Sequence, residues 1–234
     1  MNDTGTPPLE SDIELDPITG YDAWAASYDG DGNPLTALEG PAAQACFGAI
    51  AGCRALDVGC GTGRHTEALL NAGARVVAVE PSLAMLDRAR LKLHGRDVDW
   101  IRHAFPAPLP LRDGVLDLAV LGLVAEHLDD LEGALREVAR VCRPSSRLIV
   151  SALHPDRTAE GQRARFIDPD TGLRTPIRTL HRGIADYLEA ARYAGWKLIE
   201  ERSLTVDVDL AGRLPRAARY AGKNLGWIGH WSRA

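Results

Sequence analysis

Residues 55–63 read Ala-Leu-Asp-Val-Gly-Cys-Gly-Thr-Gly, and residues 76–80 read Val-Val-Ala-Val-Glu. The first stretch is a short apolar strand running straight into a glycine-rich turn. The second is another apolar strand that ends on a carboxylate. Glycines at 59, 61 and 63 remove three side chains, so the backbone can approach a ligand closely and adopt positive φ. From Arg64 to Ala72 the chain reads as a helix, whose free N–H groups and positive dipole end favour an anion. Glu80 can accept two hydrogen bonds from a ribose diol. Strand, turn, helix, strand and terminal acid therefore describe a nucleoside site on one sheet edge.

Outward from this core the pattern repeats. Apolar runs at 55–58, 76–79, 98–101, 115–121 and 147–153 are each short enough to be buried strands. Helical periodicity lies between most of them. Ser82 can cap a helix carrying Leu83, Leu86 and Leu93 toward the sheet. Asp129 with Glu132 has capping-box spacing, ahead of Leu131, Leu135, Val138 and Cys142 on one face. Alternating strands and helices predict an α/β fold, a doubly wound, mostly parallel sheet with helices on both faces and ligands at the carboxyl ends of its strands. The last third differs: a long polar segment over 155–181, a helix at about 183–194, a strand at about 196–206, and a run containing Trp227 and Trp231.

A dinucleotide turn wants Gly-x-Gly-x-x-Gly, but here the third position is Arg64 and glycine falls one residue earlier. Gly-x-Gly-x-Gly preceded by Asp57 and followed by Glu80 resembles motif I of the class I S-adenosylmethionine-dependent methyltransferases, in their small-molecule (type 11-like) branch. The resemblance extends from Tyr21 onward. Tyr21-Asp22 to Tyr28-Asp29 looks like the leading segment of many such enzymes. Leu109-Pro110-Leu111 with Asp113-Gly114 and Leu116-Asp117 looks like their loop between the third and fourth strands. Ala125-Glu126-His127 and Glu137 to Pro144 follow their later pattern. The family often has an aspartate near position 105 for the adenine amine; this chain has Phe105, whose ring could stack instead. The usual double glycine after the proline is Ser145-Ser146.

The resemblance implies a Rossmann-like sheet of order 3-2-1-4-5-7-6 with the last strand antiparallel. It implies S-adenosylmethionine as cofactor, released as S-adenosylhomocysteine. Asp57, Gly59, Cys60, Gly61 and Gly63 would surround it from the turn; Glu80, Pro81, Met85, Phe105 and Leu121 would complete the site. Cys60 needs only to be small and is no nucleophile. The implied function is methyl transfer to a ring carbon, phenolic oxygen or amine of a small molecule. A nicotinamide-dependent oxidoreductase and a non-catalytic S-adenosylmethionine-binding protein are the alternatives.

Four side chains are candidates for work on the substrate. His154 ends the fifth strand before Pro155, so its ring is expected to face the site mouth and act as base. A histidine hydrogen-bonded within its loop is the other reading. His127 follows the fourth strand and is the second candidate base, or a residue that positions the chain. Tyr21 and Tyr28 could close over the site, or pack an N-terminal helix on the sheet. Residues 155–182 form the expected lid, carrying Arg157, Arg163, Arg165, Arg174, Arg178 and Arg182, which could clamp a carboxylate or phosphate. Arg213–Lys223 reads as a solvated helix face. Metal catalysis is not expected, because the fourth and fifth strands do not end on acids.

The 234 residues fit one large domain. Residues 1–20, acidic and carrying Pro7, Pro8 and Pro17, are expected to be a disordered tail; 21–234 form the domain, with 21–51 as an N-terminal cap. At 45% apolar and 25% charged, the composition is that of a globular protein. The net charge of −5 argues against broad nucleic-acid binding. The Asn/Asp-Pro-Pro-aromatic and Pro-Cys motifs of base methylation are also absent. No run of about eighteen apolar residues predicts a membrane span, and the N-terminus does not read as a signal peptide. Cys46, Cys53, Cys60 and Cys142 lack metal spacing and fit a reduced cytoplasmic protein. Lysine occurs only at 92, 197 and 223, a bias that fits a GC-rich bacterial genome and natural-product biosynthesis. The substrate is expected to be small and aromatic or acidic, and a second copy in a homodimer could complete the lid.

Overall fold

The computed structural model describes residues 9–30 and 32–233. In chain order its strands begin with β1 Arg54–Val58, β2 Arg75–Glu80, β3 Val98–Arg102, β4 Leu116–Gly122 and β5 Cys142–Leu153. A separate antiparallel hairpin, β6 Arg165–Ile167 and β7 Arg174–Pro176, precedes β8 Trp196–Thr205 and β9 Asn224–Arg233. The main sheet has the order β3-β2-β1-β4-β5-β9-β8, which is the expected topology once the hairpin is set aside. Strands β1 to β5 pair in parallel, and β9 runs antiparallel to both β5 and β8.

Period-two alternation explains why the central strands read as continuous apolar runs: both faces are covered. Leu56, Val58, Val77, Val79, Leu121 and Val150 share one core with Leu135 and Val138 of α5 (Leu131–Val141) and Tyr187 of α7 (Ile184–Tyr193). Ala55, Val76, Ala78, Val120 and Ile149 share the opposite core with Ala43 of α2 (Pro34–Ala45), Leu69 of α3 (Arg64–Asn71) and Leu86 of α4 (Leu83–Lys92). Among the described residues, no helix is long and apolar enough to cross a membrane.

Local signals resolve in detail. Ser82 caps α4, its hydroxyl accepting from the Met85 N–H at 3.1 Å. Leu86 and Leu93 are buried as expected, but Leu83 sits in the first turn and faces outward. Asp130, not Asp129, caps α5 by accepting from the Gly133 N–H at 2.8 Å; Asp129 is drawn instead to Arg178. Helix α2 stops at Ala45, and Gly48 and Gly52 turn the chain beyond it with φ of 60° and 78°.

The expected tail over 1–20 differs from the structure where it is described; residues 1–8 lie outside the described residues. Leu9 and Ser11 exchange hydrogen bonds with Arg174, and Leu15 bonds to Pro176 and Arg178, so residues 9–15 run along β7. Asp16 then caps helix α1 (Pro17–Trp24) by accepting from the Ile18 and Thr19 N–H groups. Tail and lid meet in one apolar cluster of Trp24, Phe166 and Ile177, with Leu15, Tyr21 and Tyr28 against it. Composition hid this segment because its pairing is made by backbone groups.

Candidate functional site

The glycine turn between β1 and α3 keeps most of its amides for itself. The Gly59 and Cys60 N–H groups donate to the Val79 carbonyl at 2.8 and 3.0 Å, and the Gly63 N–H donates to the Cys60 carbonyl at 2.8 Å. The Gly61 N–H donates to Glu80 Oε2 at 2.9 Å. The turn is therefore tied to the end of β2, while α3 starts at Arg64 with no side-chain cap. The three glycines have different reasons. A Cβ on Gly59 would lie 2.4 Å from Val124, and one on Gly63 would press on Leu93 and Ala89, whereas Gly61, at φ 54°, has open space where a Cβ would go.

Glu80 closes the arrangement. Its second oxygen accepts from the Ser82 N–H at 2.9 Å. Burial pushes its pKa up to about 7, against the pull of the two amides. Its oxygens retain lone pairs for further donors.

Around these residues lies a cleft of about 350 Å³, within the ~300–1,000 Å³ range of small-ligand sites. Gly59, Gly61, Glu80, Pro81 and Met85 form one side, and His103, Phe105, Leu123 and Val124 another. Tyr21 and Tyr28 close it, together with Asp16 and Ile18 from the start of α1. Helix α1 is held there by Asp22, which accepts from the Ser82 hydroxyl and the Ala84 N–H. A second chamber of about 140 Å³ adjoins the first and shares Tyr21, Tyr28, Leu123 and His127 with it. Leu123 adopts φ 62°, a strained value for a branched residue, and its N–H is anchored on Ser151.

His127 occupies the shared wall. Its Nδ1 lies 2.8 Å from the Arg178 carbonyl, which can only accept, so Nδ1 carries the proton. In the neutral ring Nε2 then accepts from the Tyr21 hydroxyl at 3.0 Å. Burial raises the Tyr21 phenol well above its ordinary pKa, so this oxygen stays protonated. Tyr28, buried beside it, is pushed up to about 12.

The structure brings Gly59, Gly61, Glu80, Pro81, Met85, Phe105, Tyr21, Tyr28 and His127 together. It leaves five expected residues out. Asp57 is buried under the turn, accepting from the Thr66 hydroxyl at 2.6 Å. Cys60 and Leu121 pack in the two cores. Gly63 faces α4. His154 does not face the site mouth. It is buried, its Nε2 lies 3.0 Å from the Ser203 hydroxyl, and its Nδ1 accepts from the Asp156 N–H at 3.2 Å. Because Pro155 starts the short helix α6 (Pro155–Ala159), the ring is turned into a capping position.

The lid arginines are also mostly committed. Arg163 pairs with Glu14, Arg165 with Glu10 and Arg178 with Asp129, while Arg182 donates to the Ala125 and Leu128 carbonyls. Arg216 and Arg219, read above as a solvated helix face, line the second chamber. Sequence reasoning also missed His103 and Glu126. His103 follows β3 on the cleft wall with Nε2 buried and unpartnered. Glu126 had a visible signal in Ala125-Glu126-His127, but nothing in the pattern indicated that its side chain turns inward.

A doubly wound sheet whose carboxyl edge carries a glycine turn, a buried acid and a small-ligand cleft defines a nucleoside-binding α/β protein. Residues 56–150 match the model of a methyltransferase domain family. Over 172 residues the chain is 30% identical to the ubiquinone biosynthesis O-methyltransferase of Xanthomonas oryzae pv. oryzae, covering 70% of this chain and 67% of that protein. It is 36% identical over 109 residues to the demethylmenaquinone methyltransferase of Renibacterium salmoninarum, 46% of this chain but only 45% of the relative. The chain thus spans less than half the length of some curated relatives it matches. An S-adenosylmethionine-dependent methyltransferase structure from Mesorhizobium loti superposes with a TM-score of 0.72 at 23% identity, covering 86% of this chain and all of that one. The chain belongs to the class I S-adenosylmethionine-dependent methyltransferases.

Proposed function

We propose that the protein transfers a methyl group from S-adenosylmethionine to a small-molecule nucleophile: an electron-rich ring carbon, a phenolic oxygen or an amine. One observation carries this reading. The cleft beside the glycine turn and a second chamber share the wall formed by Tyr21, Tyr28, Leu123 and His127. Two ligands held in the two chambers would meet at that wall.

The residues present fit the cofactor. Gly61 leaves an open cradle, Glu80 offers lone pairs to the ribose hydroxyls, and Phe105 offers a ring face to the base. His103 Nε2, buried without a partner, is the acceptor we assign to the adenine amine in place of the family's aspartate. Bound S-adenosylmethionine supplies a methyl group already activated by its sulfonium. The chain's own contribution is orientation and exclusion of water, and orientation alone can lower a barrier by up to ~7–11 kcal/mol. For a hydroxyl or amine substrate, Tyr21 and His127 act together. The Tyr21 oxygen accepts the substrate's proton while its own proton passes along the existing hydrogen bond to His127 Nε2, and the Arg178 carbonyl steadies the imidazolium through Nδ1–H. His154 has no part in this.

The arginines of the second chamber support an acidic or aromatic substrate. The excess of arginine over lysine supports a bacterial natural-product setting, and four thiols outside any disulfide support a reduced, cytoplasmic one. The test is thermal unfolding with S-adenosylhomocysteine, using NAD as control. At a hundred times its dissociation constant the ligand stabilises by about 2.7 kcal/mol, raising the midpoint by roughly 5–10 °C at this size. A shift with NAD alone overturns the assignment. A shift with S-adenosylhomocysteine but no labelled methyl on any phenol, indole or amine leaves a binding protein.

A further inference from the structure

The second chamber is chemically lopsided. On its inner wall stands Glu126, 4% exposed. Its Oε1 accepts from the Leu153 N–H at 3.2 Å, but its Oε2 is buried without a hydrogen-bond partner. Leaving a carboxyl oxygen buried and unmatched is costly, unless a ligand completes it. Its pKa is raised by burial, in keeping with that missing partner. The lining also includes Arg163, Arg165, Arg216 and Arg219. Glu14 and Glu10 pair with the first two. Arg219 lies over the Tyr220 ring at 4.7 Å, a contact that holds its charge without cancelling it.

Resting on the reading of this chamber as the substrate's, we propose that it selects a single-ring compound with two features. One is a hydroxyl or amine that donates to Glu126 Oε2; the other is an anionic group directed to Arg219 beside the Tyr220 ring. The size agrees, since a cavity of about 150 Å³ takes a benzene ring and this chamber measures about 140 Å³. Glu126 is fixed at both ends of its residue: Leu180 donates to its carbonyl at 2.8 Å and the Leu153 N–H holds Oε1. Oε2 is therefore held in place before any ligand arrives.

The experiment is isothermal titration of the protein saturated with S-adenosylhomocysteine, using three probes. 4-Hydroxyphenylacetate has both features, phenylacetate lacks the donor, and p-cresol lacks the anion. 4-Hydroxyphenylacetate is expected to bind at least tenfold more tightly than either of the others. Glu126→Gln should cost it tenfold or more, because one amide oxygen cannot serve both the Leu153 N–H and the ligand, while phenylacetate binds as before. Arg219→Gln should weaken both anions and leave p-cresol unchanged. Equal affinity for 4-hydroxyphenylacetate and phenylacetate, or for 4-hydroxyphenylacetate and p-cresol, overturns the proposal, as does binding of none of the three. These comparisons on the unaltered protein stand even if a variant fails to fold. Failure of S-adenosylhomocysteine itself to bind is seen first, without any probe, and sinks the underlying reading instead.

Discussion

Tyr21 keeps its proton because its phenol is buried, and His127 takes that proton as a hydrogen bond because the Arg178 carbonyl has already chosen its tautomer. Removing only the hydroxyl therefore separates chemistry from packing. Tyr21→Phe is expected to lower turnover on a hydroxyl or amine substrate by about 10²–10⁴-fold. S-adenosylhomocysteine affinity, measured by titration, should hardly change. Glu80 supports a second expectation. Ribose hydroxyls donate best to the ionised acid, whose pKa before binding is about 7. S-adenosylhomocysteine should thus bind more tightly as pH rises from 5.5 to 7.5, releasing a proton detectable by calorimetry in buffers of different ionisation enthalpy. Glu80→Gln should bind more weakly, by on the order of 1.5–3 kcal/mol, and without that pH dependence. It has one acceptor oxygen where the Gly61 and Ser82 N–H groups need two. These side-chain orientations were the least legible part of the sequence. Position 80 could be read as an acid on a strand tip, but nothing in Leu153-His154-Pro155 indicates that the imidazole faces Ser203.

The elements were far more legible than their inward-facing atoms. Apolar runs of four to seven residues bounded by turns carry their own identity, and Ser82 and the glycines mark where helices start and stop. What escaped was pairing made by backbone alone, as along residues 9–15 and β7, and the choice of Asp130 over Asp129 as cap. That choice is settled by Arg178, forty-nine residues away. His154 belongs to this scale too, as the residue that joins β5 to α6 and to Ser203 of β8. His154→Ala is expected to cost about 0.5–2 kcal/mol in urea unfolding by removing the side-chain cap of α6, with turnover per folded molecule retained. A large loss of turnover at unchanged stability would return His154 to the site.

Across the molecule, one buried carboxylate ties the cap to the sheet. Glu39 of α2 pairs with Arg64 at 2.6 Å and reaches His65 at 3.1 Å, both in α3, and accepts from the Ser151 hydroxyl of β5 at 2.7 Å. Burial opposes ionisation, but His65, Arg64 and Ser151 outweigh it and hold the pKa at about 2. A folded-state pKa depressed below the unfolded value of about 4.5 gives stability that is present above pH 4.5 and lost as pH falls toward 2. Glu39→Gln should therefore be less stable than the parent at pH 7 by about 3 kcal/mol. The gap should narrow to about 1.4 kcal/mol in urea titrations carried down to pH 3; a constant gap would mean that Glu39 is not ionised in the fold.

The roof over the cleft has a history that its final geometry conceals. It is built from residues 9–24, which leave the ribosome early, and from the hairpin ending at Pro176, which leaves late. At about 5–20 residues per second, the first half waits on the order of 10–30 seconds for its partner, with Trp24 and Tyr21 exposed to whatever else the cell offers. The glycine turn and Glu80, by contrast, are complete within one contiguous stretch. The chain that carries the turn is thus made long before the second half of the roof, so synthesis itself runs from the floor of the cleft to its ceiling.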